Sequence, residues 1–447
     1  MATKRYDVVI VGGGAGGLAT ALALKTLRSD LKVLVIRRTK SQPVPCSVPY
    51  IVETIGSLEG CLIPDSILTS SGAELLIDEV VKINPEEKFV LTSSGRKINY
   101  DKLVLSMGTS PAKLNIPGIG LKGVVLISKE GEPLAQALEV LKNAKRIVII
   151  GAGFVGMEYA DDLAKGREIH VVEVLDEALA LSFDKEFGEI ARKNLEAKGV
   201  KFHLKTGVKE ILGNGKVEKV LLSNGDQLDA DAVLIGVGVT PNTEIAREAG
   251  IELDEQGHVI VDSFMRTNIP DIYAVGDIAQ KRDFFTGKPI RAYFATLAVF
   301  EGRVAAMHIA GVNPSKGCEG ILPVFSTTIA GTALTAAGLT ESAAEKLGLK
   351  VIAVTVEALN RHPASLPGVY KIKFKALFSK GDLRLVGVQI AGPESVGEMI
   401  NYAAAAIQSN LTAYDIVKLQ YATHPLLTAS PIVYPLHMAA LSAISQK

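Results

Sequence analysis

"YDVVIVGGGAGGLATALALKT", residues 6–26, reads as a buried strand, a glycine turn and a helix. Gly12, Gly14 and Gly17 fill the three positions of a G-x-G-x-x-G turn. The first glycine permits the tight turn, the second lets the backbone approach a pyrophosphate, and the third lets the helix pack on the strand. The helix start offers unpaired N–H groups and the positive end of a dipole to phosphates. "LKVLVIRR", residues 31–38, follows as the next strand and ends in Arg37-Arg38.

The same design returns in "RIVIIGAGFVGMEYADDLAKGREIHVVEV", residues 146–174, with Gly151, Gly153 and Gly156. Its second strand ends in Glu173, twenty-two residues beyond Gly151. An acid there accepts hydrogen bonds from a ribose 2′-hydroxyl. It also repels a 2′-phosphate, so NADH is favoured and NADPH is the secondary donor. One glycine turn arises by chance. Two, each set between strand and helix, point to two dinucleotide sites and a flavin that passes electrons on.

The 447 residues suffice for two or three domains. Lys+Arg and Asp+Glu are both 48, so no basic surplus points to nucleic acid. The three cysteines, Cys46, Cys61 and Cys318, are too few for a disulfide framework and lack zinc spacing. A reducing, cytoplasmic compartment and no metal are therefore expected. The first residues enter a strand at once, which reads as fold and not as a signal peptide. No apolar stretch is long enough to span a bilayer. The most apolar tail, residues 426–444, is broken by Pro431, Pro435 and His437 and reads as an interface or core element. Cys46 lies in "VPCSVPY", residues 44–50. By itself it reads as an inert buried thiol, half of a disulfide, or a redox nucleophile.

Several further segments carry a resemblance. They are "YDKLVLSMGTSP" (100–111), "LIGVGVTPNT" (234–243), "TNIPDIYAVGDIAQ" (267–280) and "VFEGRVAAMHIAG" (299–311), with "GLTESAAEKLG" and "LVGVQIAG" further on. With the two glycine turns they make the chain similar to the pyridine nucleotide-disulfide oxidoreductase superfamily. The likeness is to its single-cysteine branch of NADH oxidases, NADH peroxidases, coenzyme A disulfide reductases and polysulfide reductases. The resemblance implies an α/β fold with two Rossmann-like domains, for FAD and NAD(P)H, plus a C-terminal α+β dimerisation domain. It places the flavin domain in residues 1–113 and 263–325, the NADH domain in 114–262 and the dimerisation domain in 326–447. In that last domain the sequence itself reads as a hairpin around Lys380-Gly381-Asp382, then a helix over 397–409 whose alanine stripe would pack on other helices.

The resemblance also assigns roles. Cofactor contacts are expected from Gly12, Gly14, Ala15, Gly16, Gly17, Arg37, Arg38, Gly108, Gly276 and Asp277, the last holding the ribitol chain of FAD. On the same ground they are expected from Gly151, Gly153, Phe154, Gly156, Glu158, Glu173 and Gly238, with Phe154 as the aromatic that covers the flavin. Cys46 stands at the branch's redox cysteine, and Ile51 stands where two-cysteine relatives have their second. Cys61 and Cys318 match no motif and read as structural.

Four positions depart from the pattern. Arg37 replaces the acid expected at the FAD ribose; its guanidinium and that of Arg38 are donors for hydroxyls or phosphate. Ala15 replaces the histidine of peroxidases, which argues against peroxide chemistry. Ser365 and Leu366, in "HPASLPG", replace a Tyr-Tyr pair of coenzyme A disulfide reductases. His424, in "YATHPLLTASP", resembles the proton-handling histidine that two-cysteine reductases supply from the partner subunit, but Ala429 replaces its glutamate. An imidazole both gives and takes a proton near neutrality. The expected activity is electron transfer from NADH through FAD and Cys46 to a small disulfide, persulfide or polysulfide, in a homodimer. The alternatives are an NADH oxidase reducing dioxygen and a reductase serving a redox partner protein.

Overall fold

The structure, a computed structural model, describes residues 4–112, 114–312 and 317–447. Its chain forms two compact units. One comprises Met1–Leu114, Leu126–Glu139 and Gly238–Ile321; the other comprises Asn115–Val125, Val140–Val237 and Leu322–Lys447.

In the first unit, Val8–Val11 and Val33–Ile36 are buried along their whole length, as strands covered on both faces must be. They lie side by side and parallel, Val8 opposite Val33. The sheet runs Glu74–Ile77, Val33–Arg37, Arg5–Val11, Lys97–Leu105, Phe89–Thr92, Val80–Asn84. Ile272–Ala274 pairs with the last residues of Lys97–Leu105. Helix Ala15–Leu27 packs on helix Ala295–Ile309. Their contact is close: a Cβ added at Gly302 would stand 2.6 Å from the Gly16 carbonyl oxygen.

This unit takes the chain back at Gly238, earlier than residue 263, because strand Val239–Pro241 pairs with Thr109–Pro111. The expected end of its first segment, Lys113, lies outside the described residues.

In the second unit, parallel strands run Lys201–His203, Glu168–Val172, Arg146–Ile150, Ala232–Ile235. After them comes a five-stranded antiparallel sheet in the order Val324–Ile329, Thr332–Gly338, Leu385–Gly392, Lys371–Ser379, Val351–Leu359. The hairpin forms as expected, with Phe374 opposite Ile390. Helix Val396–Gln408 corrects one expectation. It packs chiefly on the strands Thr332–Gly338 and Leu385–Gly392, with Tyr402 stacked 6.5 Å from His437 of helix Pro435–Ser445. Glycines on those strands make room: a Cβ at Gly338 would meet Ile407 Cδ1 at 3.2 Å, and one at Gly392 would meet Val396 Cγ1 at 3.0 Å.

Lys375, 4 % exposed, ties helix Lys185–Glu196 to this sheet. Its ammonium meets Asp184 at 2.9 Å, Glu186 at 2.7 Å and Glu341 at 2.6 Å. Gln389 also donates to Asp184, at 2.6 Å. Burial pushes the Asp184 carboxyl up, but Lys375, Gln389 and the Glu341 N–H together hold it below its usual 3.8. That stabilisation is complete above the ordinary carboxylate range and is lost as pH falls through the folded pKa. Lys375→Met leaves the buried Asp184 carboxylate uncompensated and is expected to lower stability by about 3–5 kcal/mol. Thermal unfolding midpoints should show the deficit at neutral pH and show it narrowing as the pH is taken below 4, the carboxylate range.

Candidate functional site

The first glycine turn stands over a cleft of about 290 Å³ bordered by Gly12, Gly14, Arg37, Arg38, Gly108 and the segment Ser128–Glu130. Gly12 has φ +109°, and its N–H donates to the Ile36 carbonyl at 2.8 Å. A Cβ at Gly17 would stand 2.0 Å from the Gly12 oxygen, so helix and strand meet backbone to backbone. At Gly14 the same added atom would meet nothing within 4 Å. The bare backbone there faces open space, beside the start of a 13-residue helix. That cradle fits a pyrophosphate, and the residues present therefore suit FAD.

Charged groups border this cleft in pairs. Asp277 accepts from Lys129 at 2.8 Å and from the Thr109 hydroxyl at 3.1 Å. Arg38 contacts Glu130 and lies 3.6 Å from Glu79. Arg37, 7 % exposed, is turned toward the protein. It donates to Asp65 at 2.8 and 3.2 Å, to the Thr39 carbonyl at 2.7 Å and to the Lys40 carbonyl at 2.8 Å. Its stem walls the cleft, since a Cβ at Gly13 would lie 2.9 Å from Arg37 Cδ. Gly108 and Gly276 have φ +63° and +76°. Ala15, Gly16 and Gly17 form the first turn of the helix.

The second turn repeats the first. Gly151 has φ +101°, and a Cβ at Gly156 would stand 2.0 Å from the Gly151 oxygen. Gly153, like Gly14, faces open space. The Glu173 carboxylate accepts from the Ala152 N–H of the turn at 2.7 Å and from the Leu175 N–H at 2.9 Å. It is thus fixed where the strand and the turn converge. Phe154 opens helix Phe154–Leu163, and its ring packs edge-on against Phe325 at 5.0 Å and Phe183 at 6.2 Å between centroids. Glu158, one turn on, accepts from the Thr327 hydroxyl at 2.7 Å. Gly238, with φ +78°, belongs to the first unit, where it starts the return strand.

Cys46 is exposed, on a 3₁₀ turn Pro45–Tyr50. A π-helical turn Ile51–Ile55 follows, and Ile51 is buried. The Val44 N–H donates to the Cys61 carbonyl at 2.8 Å and anchors the turn. Cys61 is buried, and burial raises the pKa of both its thiol and that of Cys318. His424 is exposed in the second unit, and its Nδ1 accepts from the Leu426 N–H at 3.3 Å. That contact leaves Nε2 to carry the proton of the neutral ring. Near it Leu427 and Ile432 are 68 % and 83 % exposed, an apolar surface beside the histidine.

Lys129, Glu130 and Thr109 border the cleft, and Phe325 and Thr327 hold the second turn; the sequence reading missed their roles. Lys129 and Glu130 sit in no recognisable motif, and Phe325 and Thr327 act on residues far away in the chain. Among the described residues, no helix is long and apolar enough to cross a membrane.

The model of the family "pyridine nucleotide-disulphide oxidoreductase" matches residues 6–302, and that of its dimerisation domain matches 324–431. The chain is 31% identical to an NADH oxidase of Methanocaldococcus jannaschii, covering 98% of each. It is 31% identical to an NAD(P)H coenzyme A polysulfide/persulfide reductase of Pyrococcus horikoshii, covering 92% of this chain and 93% of the other. Among solved structures, an NAD-dependent persulfide reductase from A. fulgidus aligns with a TM-score of 0.89 at 29% identity, over 98% of this chain and 83% of that one.

Asp277→Ala tests the cleft. Loss of a charged hydrogen-bond acceptor is worth about 1.5–3 kcal/mol, so the Kd for FAD should rise about 10- to 100-fold. Fluorescence titration of deflavinated protein measures it.

Proposed function

The chain belongs to the pyridine nucleotide-disulphide oxidoreductase family, and on that premise we propose that it carries electrons from NADH through FAD and Cys46 to a disulfide, persulfide or polysulfide. It is an FAD-dependent NAD(P)H oxidoreductase with a dimerisation domain at its C-terminal end. The observation that carries the acceptor class is the thiol itself: Cys46 is exposed on its turn, and a buried Ile51 stands where a second cysteine would close a dithiol.

FAD, when bound, would supply the two-electron relay between NADH and sulfur. The chain's own residues do the rest. The Gly12–Gly17 turn and its helix hold the FAD pyrophosphate, and Asp277 takes a ribitol hydroxyl in place of Lys129. Glu173 accepts from the adenosine ribose of NADH. The Cys46 thiolate, the nucleophilic form, attacks a sulfur–sulfur bond. A Cys46–sulfur bond forms, the substrate bond breaks, and the leaving sulfur departs with its electron pair. Two electrons and a proton then free the second sulfur as a thiol and return Cys46 to the thiolate. In sum, NADH, a proton and one disulfide give NAD⁺ and two thiols. His424, supplied by a second copy of the chain in a homodimer, is the proposed proton donor to the leaving sulfur, through Nε2. The three-domain division and a cytoplasmic location belong to the same proposal. The similarity to an NADH oxidase favours dioxygen as the second reading; Ala15 supplies no histidine for peroxide on that route.

Two experiments test this. kcat/KM should favour NADH over NADPH by about tenfold or more, a difference of about 1.4 kcal/mol set by repulsion at Glu173. An NADPH preference would show that Glu173 does not read the ribose. Cys46→Ser should cut polysulfide and disulfide turnover by about 10³-fold or more, since the hydroxyl is no nucleophile at neutral pH, while anaerobic reduction of the flavin by NADH persists. Wild-type turnover in that variant would leave dioxygen as the acceptor.

A further inference from the structure

Beneath the Gly276-Asp277 loop lies a pair of charges buried more deeply than any other part of the cleft requires. Lys281 and Glu301 are 4 % and 1 % exposed. The Lys281 ammonium lies 3.0 Å from each oxygen of Glu301. The pair does not simply neutralise itself. Glu301 Oε2 also accepts the N–H of Gly276, at 2.7 Å. Lys281 also donates to the carbonyl of Gly276, at 2.6 Å, and to that of Ala279, at 2.9 Å. The ion pair therefore holds the N–H of the residue preceding Asp277 and shares its carbonyl with the Ala279 N–H, which donates at 2.9 Å. Gly276 has φ +76°, one of several backbone conformations open to glycine, so its contacts decide which it keeps.

We propose that Lys281 and Glu301 are positioning residues of the flavin site: they clamp the Gly276 peptide so that Asp277 faces the ribitol, and their balanced charges set the field the flavin feels. The inference rests on the FAD reading of Asp277. Buried ion pairs are poor stabilisers, because replacing both partners by apolar groups of similar size is often neutral for the fold. A pair kept at this depth for stability alone has an apolar substitute. A pair that holds the Gly276 N–H and braces its carbonyl has none, since leucine offers that N–H no acceptor and methionine gives the carbonyl no second donor beside the Ala279 N–H. Glu301 also sits next to Gly302, where helix Ala295–Ile309 meets helix Ala15–Leu27. One helix thereby places the second flavin segment relative to the first.

The discriminating variant is Lys281→Met/Glu301→Leu, compared with each single variant and with Glu301→Gln in deflavinated and FAD-reconstituted protein. The positioning role predicts that the double variant recovers the thermal midpoint lost by the single variants, yet binds FAD about tenfold or more weakly, as loss of charge-assisted hydrogen bonds to the loop implies. Glu301→Gln keeps the size and an acceptor for Gly276 but leaves Lys281 uncompensated. It should bind FAD and show a flavin midpoint potential shifted to more positive values, because an unbalanced cation favours the reduced, anionic flavin. A double variant with wild-type FAD affinity and potential overturns the inference. Should that variant not fold, an unchanged affinity and potential in Glu301→Gln overturns it equally. Wild-type protein that binds no FAD would instead remove the functional reading on which this one rests.

Discussion

The carbonyl oxygen of Ser106 stands where a side chain at Gly12 would begin, 2.1 Å from the position of its Cβ. No other residue fits, and three segments converge at that place. The Ser106 N–H donates to Val11 at 2.8 Å and locks the central strand to its neighbour. Its hydroxyl lies 2.9 Å from where Gly16 would place a Cβ and 3.8 Å from the same point on Gly276. Glycine turn, helix start and second flavin loop are thus all within one side chain of each other. The cleft exists because these backbones come this close without side chains between them.

Residues near in sequence or set by backbone geometry could be read in advance. Gly17 and Gly156 each answer to a glycine carbonyl five residues back, whereas Gly12 and Gly151 answer to Ser106 and Val237 far along the chain and are legible only through the repeated motif; the apolar runs at Val8–Val11 and Val33–Ile36 announce buried strands. What escaped was pairing over long separations. Arg37 ends a strand at the cleft, but nothing in the sequence marks Asp65, twenty-eight residues on, which engages its guanidinium. Lys129 reaches Asp277 across more than a hundred residues, and Thr327 reaches Glu158 across a similar distance. A lysine in "SKEGE" carries no sign of the acid it will meet. The alanine stripe misled for another reason: small residues announce close packing but not its partner, and here glycines in a sheet supplied it.

Buried charge in this chain sits where geometry must be fixed, not where the core needs filling. Lys375 gathers Asp184, Glu186 and Glu341, and Lys281 with Glu301 grips one peptide. Glu173 is held by two backbone N–H groups before any ligand arrives. An ion pair specifies direction in a way that apolar contacts cannot, which is the use best attested for such groups. Arg37 gives the same lesson in reverse: once Asp65 and two carbonyls have claimed its donors, it braces the wall of the cleft.

On the role proposed for Cys46, the buried Ile51 five residues on limits how many electrons the molecule can store. A flavin alongside a dithiol holds two electron pairs; a flavin alongside one thiol holds a single pair, because a thiol by itself has no disulfide to open. Any further capacity has to arrive from outside as an atom. Sulfur or oxygen bound to Cys46 adds one oxidised bond, and so one more pair to be accepted. Under that proposed role, the number of reducing equivalents taken up by the resting protein counts what its cysteine is carrying, and the redox state of the chain becomes a record of its last encounter with sulfur or oxygen.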